Sequence, residues 1–365
     1  MRILWYNWRD VKNPDAGGAE VFTHEVMRRL TMKGHEATLF TATFSNASNI
    51  EYLDGVKIIR EGDKFSVYSK ARKHYARNGS EYDFVIDEIN GRPFFTPKFV
   101  KDKPILGLCH HLSLKAWTLE LPFPLGHIGY YYFNRIGLAY YKNTPIVTVS
   151  NSSKKNFEQI GLKQVFIVPE GISVTPSNNV LEKKYGPTVV FIGRLKRNKL
   201  PDHAVKALSI IKRTLPDSRL WVIGDGYMRT KLEKIAKGKI RFYGHVNENL
   251  KYTLLSQAHL ILVPAVHEGW GLVITESNAV GTPAIAYDVP GLRDSVVNGE
   301  TGILIEENSP NQLAHAAISL LQDPRRLRQI SENALDFSRQ FTWDRTAAVF
   351  DSIITRIYET NHRSE

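Results

Sequence analysis

What most constrains this chain is the alternation of short apolar runs with helical patterns. TVVFIGRL, residues 188–195, reads as a buried strand; PDHAVKALSIIKRTL, 201–215, has helical periodicity; RLWVIGDG, 219–226, is a strand again. The series continues with YMRTKLEKIAKG as a helix, IRFYGH as a strand, NLKYTLLSQA as a helix, LILVPA as a strand, GLVITESNAVG as a helix and PAIAYD as a strand. An earlier series runs through RILWY, HEATLFTA, DFVID, PILGLC, PIVTVS and VFIVPEG as strands. Its first helix, GGAEVFTHEVMRRLTMKG, carries Val21, Phe22, Val26 and Leu30 on one stripe, with Gly34 as its stop. NQLAHAAISLLQD and WDRTAAVFDSIITRIYE read as C-terminal helices. Strands and helices alternating at this spacing predict parallel sheets with right-handed crossovers. Two series separated by SVTPSNNVLEKKYGP, whose Pro, Asn and Ser suit a linker, predict two doubly wound α/β domains.

The length of 365 residues agrees with two domains, and 42% hydrophobic with 23% charged residues is ordinary for a globular protein. A formal charge of +11 calls for an anionic partner: a nucleotide, nucleic acid or acidic lipid surface. The single cysteine, Cys109, excludes a disulfide framework and points to a reducing, cytoplasmic compartment. MRILWYNWRD has no apolar core and does not read as a signal peptide. LPFPLGHIGYYYFNRIGLAYY, with two prolines, His127, Asn134 and Arg135, does not read as a membrane span.

Chemistry concentrates in HEGWGLVITESNAVGTP, residues 267–283. Ligands of open parallel sheets bind beyond the carboxyl ends of strands, and LILVPAVHEGWG is such an end. Gly269 and Gly271 permit close backbone approach, and the helix starting near Leu272 offers free amides to an anion. An ionised carboxylate is a pure acceptor, suited to sugar hydroxyls. Glu268 in the loop and Glu276 a turn into the helix are thus candidates for gripping a sugar and a ribose; a solvated loop glutamate and a surface helix glutamate are the bland alternative.

EGWGLVITE resembles the paired-glutamate motif of retaining GT-B glycosyltransferases, glycosyltransferase family 4. GRLKRNK, VIGDGYMRTKLE, IRFYGHV and GTPAIAYDVPGLRDSVVNGETGILI resemble further segments of that family in the family's order, so the resemblance covers most of residues 187–310 and extends more weakly to the N-terminal half. It implies two Rossmann-like domains facing a central cleft: residues 1–178 binding the acceptor, residues 179–342 binding a nucleotide sugar, and a C-terminal helix, 343–365, packing back on the first. It implies that Arg194 and Lys199, after the strand ending at Gly193, neutralise the donor diphosphate, although Leu200 stands where the family has Gly. It also implies that Glu268 orients the donor sugar and that Glu276 binds ribose. Further donor contacts are expected at Gly226, at Val246, and at the corner residues Gly269, Trp270, Gly271, Leu272 and Val273.

In the first half, NPDAGGAEVF resembles the family's first glycine-rich loop, placing Gly17 and Gly18 near the donor; a glycine pair capping a helix reads the same way. LGLCHHLS puts His110 where the family has a histidine beside the donor sugar, with His111 as second choice and a structural loop histidine as the alternative. No acidic or cysteine ligands are spaced to complete a metal site around this pair, so no metal and no cofactor are expected. IVPEGIS has Glu170 where the family usually has Asn, which sets aside the contact that Asn makes. Asp288 and Arg293 read as structural.

SLKAWTLELPFPLGHIGYYYFNRIGLAYYKN and the basic KFSVYSKARKHYARNG mix aromatics with cations. They suit an anionic membrane face; nucleic-acid stacking, aromatic core packing and a solvated basic face are the alternatives. The expected activity is transfer of a hexose from a UDP- or GDP-sugar to an acceptor hydroxyl on a glycan or lipid-linked acceptor, with retained configuration and without metal. An epimerase or phosphorylase of the same shape is the alternative enzyme. A nucleic-acid binder would explain the charge but not Glu268, Glu276 and the glycine corner.

Overall fold

A computed structural model describes residues 1–112, 119, 122–236 and 240–362. The chain forms two compact units: the described residues up to Leu112 with 123–171 and those from Thr342 onward make the first, and 172–341 the second.

The first unit is built on an eight-stranded sheet. Its strands are β1 (Arg2–Tyr6), β2 (Glu36–Thr41), β3 (Ile50–Leu53), β4 (Val56–Arg60), β5 (Phe84–Glu88), β6 (Ile105–Leu108), β7 (Ile146–Thr148) and β8 (Val165–Ile167). They lie in the order β3-β4-β2-β1-β5-β6-β7-β8, all parallel except the antiparallel β3–β4 pair. Ile3, Leu4, Trp5 and Tyr6 are all fully buried, which is why a central parallel strand reads as a continuous apolar run. The β3–β4 hairpin was not anticipated. It turns at Asp54–Gly55, both at positive φ, and exposes Ile50 and Tyr52, so its pattern is diluted at the sheet edge.

Helix α1 (Gly18–Met32) buries Phe22, Val26, Met27 and Leu30; Val21, expected on that stripe, is only half-buried and Met27 takes the place. Helix α2 (Val67–Asn78) is the basic stretch of the sequence. It buries Val67, Ala71, His74 and Tyr75 and leaves Lys70, Arg72, Lys73 and Arg77 exposed, so its tyrosines serve packing while its cations face solvent. The C-terminal helix, Trp343–His362, packs on α1: Phe350 stacks on Trp5 at 5.2 Å, and Asp344 accepts from Arg29 Nε at 2.5 Å.

The second unit has six parallel strands: β9 (Thr188–Ile192), β10 (Arg219–Ile223), β11 (Ile240–Gly244), β12 (Leu260–Val263), β13 (Ala284–Tyr287) and β14 (Gly302–Ile305), in the order β11-β10-β9-β12-β13-β14. Helices α3 (Pro201–Thr214), α4 (Glu248–Gln257) and α5 (Leu272–Asn278) supply crossovers. The helix Pro324–Ser338 was not anticipated from the sequence. SVTPSNNVLEKKYGP lies within this unit and is a strap rather than a free linker. Ser177 N donates to Ala279 O at 2.8 Å, and Lys183 Nζ to Ser256 O at 2.9 Å. Because every strand is parallel, the loops following β9, β10, β11 and β12 emerge on one edge of the sheet, the edge where such folds bind ligands.

Candidate active site

In the second unit, the loop after β12 carries Glu268 and Gly269. Glu268 N donates to Pro290 O at 3.2 Å, fastening the corner to the loop after β13. Gly291 makes this approach possible: its φ is +87°, and a Cβ there would stand 2.2 Å from Glu268 O. Gly271, at φ +93°, turns the chain into α5, so Leu272 and Val273 open the helix half-buried. The Trp270 ring is buried against Phe341, with ring centroids 5.3 Å apart, so it packs the corner from behind.

Lys199, in the short helical turn after β9, forms an ion pair with Glu268, both side chains partly exposed. Arg194 is exposed directly beyond β9, and Gly193, at the strand end, donates to Ile223 O at 3.0 Å. Gly226 follows β10 and Val246 follows β11, where Val246 packs half-buried on the core. Arg293 pairs with Asp288 at 2.8 Å, in keeping with a structural role.

Glu276 is buried at 6% exposure. Its Oε1 accepts from Lys251 Nζ at 2.9 Å and from Tyr252 Oη at 3.1 Å, both on α4. Burial raises the Glu276 carboxyl above the usual carboxylate range, a rise that the Lys251 ammonium and Tyr252 hydroxyl counter only in part. Lys251 also pairs with Glu248 at 2.8 Å. Neither Lys251 nor Tyr252 was singled out by the sequence; a Lys-Tyr pair in an amphipathic helix carries no signal of its own.

The first unit gathers a second polar cluster at the carboxyl ends of neighbouring strands. Glu88 ends β5, His110 follows β6 and Glu170 follows β8. His110 Nδ1 lies 2.9 Å from Glu170 Oε1, so Nδ1 carries the proton and the carboxylate accepts it. His110 Nε2 faces Glu88 Oε1 at 3.9 Å. Glu88 Oε2 accepts from Trp5 Nε1 at 2.9 Å and from the Thr23 hydroxyl. Burial disfavours charge on His110, but the hydrogen bond and charge of Glu170, with the charges of Glu88 and Glu20, prevail and raise its pKa. Burial pushes Glu88 up to about 7, against the pull of His110. Cys109 beside them is pushed by burial to about 12 and is an inert thiol. The His110 carbonyl accepts from Thr148 Oγ1 at 3.1 Å, and His111 is half-buried next to it.

Gly17 and Gly18 begin α1. Gly17 N donates to Glu20 Oε2 at 2.6 Å, and Glu20 is held in turn by Arg9 at 2.9 Å and Asn90 at 2.8 Å. The departure at Glu170 thus has a structural counterpart, since the residue set aside for lack of Asn is the partner of His110. Among the described residues no three His, Cys, Asp or Glu side chains are grouped to hold a metal ion.

Residues 16–175 match the family model of Glycosyltransferase Family 4, and residues 176–337 that of Glycosyl transferases group 1. The chain is 34% identical over 176 residues to the D-inositol 3-phosphate glycosyltransferase of Corynebacterium glutamicum, a match covering 45% of this chain and 42% of that relative, so it spans less than half of that protein's length. Its fold superposes on sucrose-phosphate synthase from Thermosynechococcus elongatus with a TM-score of 0.82 at 19% identity, covering 99% and 100% of the two chains. It superposes likewise on Anabaena HepE, solved in complex with UDP-glucose, at 0.75 and 16% identity, covering 97% and 100%. These two likenesses bear on the fold, which is GT-B. With the two family models together taking in residues 16–337, the chain belongs to the group 1, family 4 glycosyltransferases.

Proposed function

We propose that this protein transfers a hexose from a UDP- or GDP-sugar to an acceptor hydroxyl with retention of anomeric configuration, the second unit holding the donor and the first the acceptor. The observation that carries this reading is the corner after β12. One sheet edge assembles a carboxylate, Glu268, touching a lysine, Lys199, with Arg194 beyond the adjacent strand end and a second carboxylate, Glu276, a turn into α5. Lys199 and Glu268 satisfy each other in the structure. With donor, Lys199 and Arg194 turn to the diphosphate, whose charge grows as it leaves, and Glu268 is released to accept from sugar hydroxyls. The amides of Leu272 and Val273 add donors to the phosphate. Glu276 holds the ribose, and Gly226 and Val246 border the nucleoside.

His110, with Gly17 and Gly18, acts on the transferred sugar. The departing phosphate takes the acceptor proton in a front-face reaction through an oxocarbenium-like state. Protein cations do the neutralising that a metal would otherwise supply. The test is incubation with UDP- or GDP-hexose, with and without a candidate acceptor alcohol, followed by proton NMR of the anomeric signal. An α-donor yielding an α-product only when acceptor is present supports the reading. Isomerised donor without acceptor, or a β-product, defeats it.

The acceptor we favour is a glycan carried on a lipid, reached by a protein bound peripherally to the cytoplasmic membrane face. Phe123, two residues before the short helix Leu125–Tyr131, is 81% exposed, and Leu125, Ile128 and Tyr131 within that helix are exposed at 58%, 59% and 61%, while α2 in the same unit presents its cations. Aromatics at headgroup depth beside cations suit an anionic bilayer. Tyr141 of the same tyrosine-rich stretch is core, and residues 113–118, 120 and 121 lie outside the described residues. Among the described residues no helix is long and apolar enough to cross a membrane. Co-sedimentation with phosphatidylglycerol vesicles, lost in a Phe123→Ser/Ile128→Ser variant, is the expected result; equal sedimentation of both proteins contradicts it.

A further inference from the structure

We propose that Lys251 and Tyr252 are positioning residues that turn Glu276 into a selector for a ribose over a 2′-deoxyribose. This deepens, and rests on, the assignment of Glu276 to the donor's ribose. The two are consecutive residues of α4, and both bring their donor to the same oxygen, Oε1, at 2.9 and 3.1 Å. Among the described residues the other oxygen, Oε2, accepts nothing. A carboxylate has two oxygens with about four acceptor positions. Filling those of Oε1 fixes the plane of the group and leaves Oε2 as its acceptor for a ligand.

The charge matters as much as the direction. Glu276 is buried, and a buried carboxyl without a counter-ion takes up a proton. A protonated carboxyl offers a hydroxyl group where an acceptor is required. Lys251 prevents this: its ammonium stands between Glu276 and Glu248 and lies 4.6 Å from the centre of the Tyr252 ring. Burial drives the Glu276 carboxyl toward its neutral form and Lys251 opposes that drive, in agreement with the geometry. An ion pair that merely pinned α4 to α5 would affect stability and would not distinguish one nucleotide sugar ring from another.

The experiment is calorimetric titration of UDP against 2′-deoxy-UDP, or of GDP against 2′-deoxy-GDP if that base binds tighter, at pH 7. It compares the wild type with Lys251→Met, Lys251→Arg, Tyr252→Phe and Glu276→Ala. A hydrogen bond to a charged acceptor corresponds to a ribose preference of about 10-fold or more in the wild type. Lys251→Met is expected to bring the preference below about 3-fold, Tyr252→Phe to reduce it several-fold, and Lys251→Arg to retain it, each with the fold intact by circular dichroism. A wild-type preference in Lys251→Met, together with its loss in Glu276→Ala, overturns the proposal and leaves the ribose assignment standing. A preference that survives in Glu276→Ala overturns both. If Lys251→Met does not fold, an unchanged preference in Tyr252→Phe overturns the proposal.

Discussion

The two polar clusters of this molecule solve opposite problems. In the second unit, Lys199–Glu268 and Lys251–Glu276 each pair an ammonium with a carboxylate, and the Lys199–Glu268 pair stays partly open to solvent. In the first, His110 sits between Glu170 and Glu88; burial pushes the Glu88 carboxyl up to about 7, and the neighbouring carboxylates raise His110. Lysine–carboxylate pairs suit a corner proposed to meet a diphosphate and sugar hydroxyls. A histidine hydrogen-bonded to one carboxylate and facing another is held in one orientation, and its protonation depends on pH. The comparison teaches that the corner proposed for the donor is built on lysine–carboxylate pairs, and the first-unit cluster on the orientation of a histidine.

The largest effect expected from this contrast is on transfer. In the proposed reaction Arg194 and Glu268 both act on the reacting donor, so in Arg194→Ala and in Glu268→Ala turnover with a nucleotide sugar should fall about 100- to 1000-fold, as for loss of one transition-state partner. Activity within a few-fold of wild type in both would erase the difference between the clusters. Next in size, Glu170→Asn puts back the family's usual residue. His110 then loses its carboxylate partner, and its imidazole, followed by NMR titration, should titrate at lower pH than in the wild type, with turnover reduced about 10-fold. An unmoved titration would show that Glu170 does not hold the proton on His110.

The smallest effect is on stability. Glu88 has a folded pKa of about 7 against 4.5 for an ordinary glutamate, so between those values the folded chain holds a proton that the unfolded chain has released. Stability is therefore lost as pH rises across that window. His110, raised above its ordinary 6.5, contributes stability that is fully present below 6.5 and is lost as pH rises through its folded value. The groups facing the pair are Glu170 and Glu20, the latter neutralised by Arg9. Stability, followed through the melting temperature, should fall from pH 5 to 8 by no more than about 1.4 kcal/mol per pH unit for each proton. Glu88→Gln should flatten the slope; an equal slope in the variant contradicts the assignment.

The clusters also differed in how far the sequence revealed them. Glu268, Gly271 and Glu276 sit in one continuous stretch, and Arg194 and Lys199 in another just past a strand, so the resemblance of those stretches to family motifs singled them out. Glu88, His110 and Glu170 meet only because β5, β6, β7 and β8 are neighbours in the sheet, and nothing local in any of the three segments says so. Lys251 and Tyr252 were invisible for the same reason, since α4 and α5 meet in space. Among elements, the buried strands were legible as apolar runs. The edge hairpin β3–β4 and helix α2 were not, because exposed Ile50 and Tyr52 and a mostly cationic helix face blur the periodicity.

The most direct test of the central claim, that the corner from Glu268 to Glu276 holds a nucleoside diphosphate sugar, is a thermal-shift panel of UDP-, GDP- and ADP-sugars on the wild type and on Glu276→Ala. A donor at 100 times its Kd stabilises by about 2.7 kcal/mol. One sugar nucleotide should therefore raise the melting point by several degrees in the wild type and leave the variant unmoved. A panel with no shift in the wild type, or the same shift in both proteins, would contradict the account.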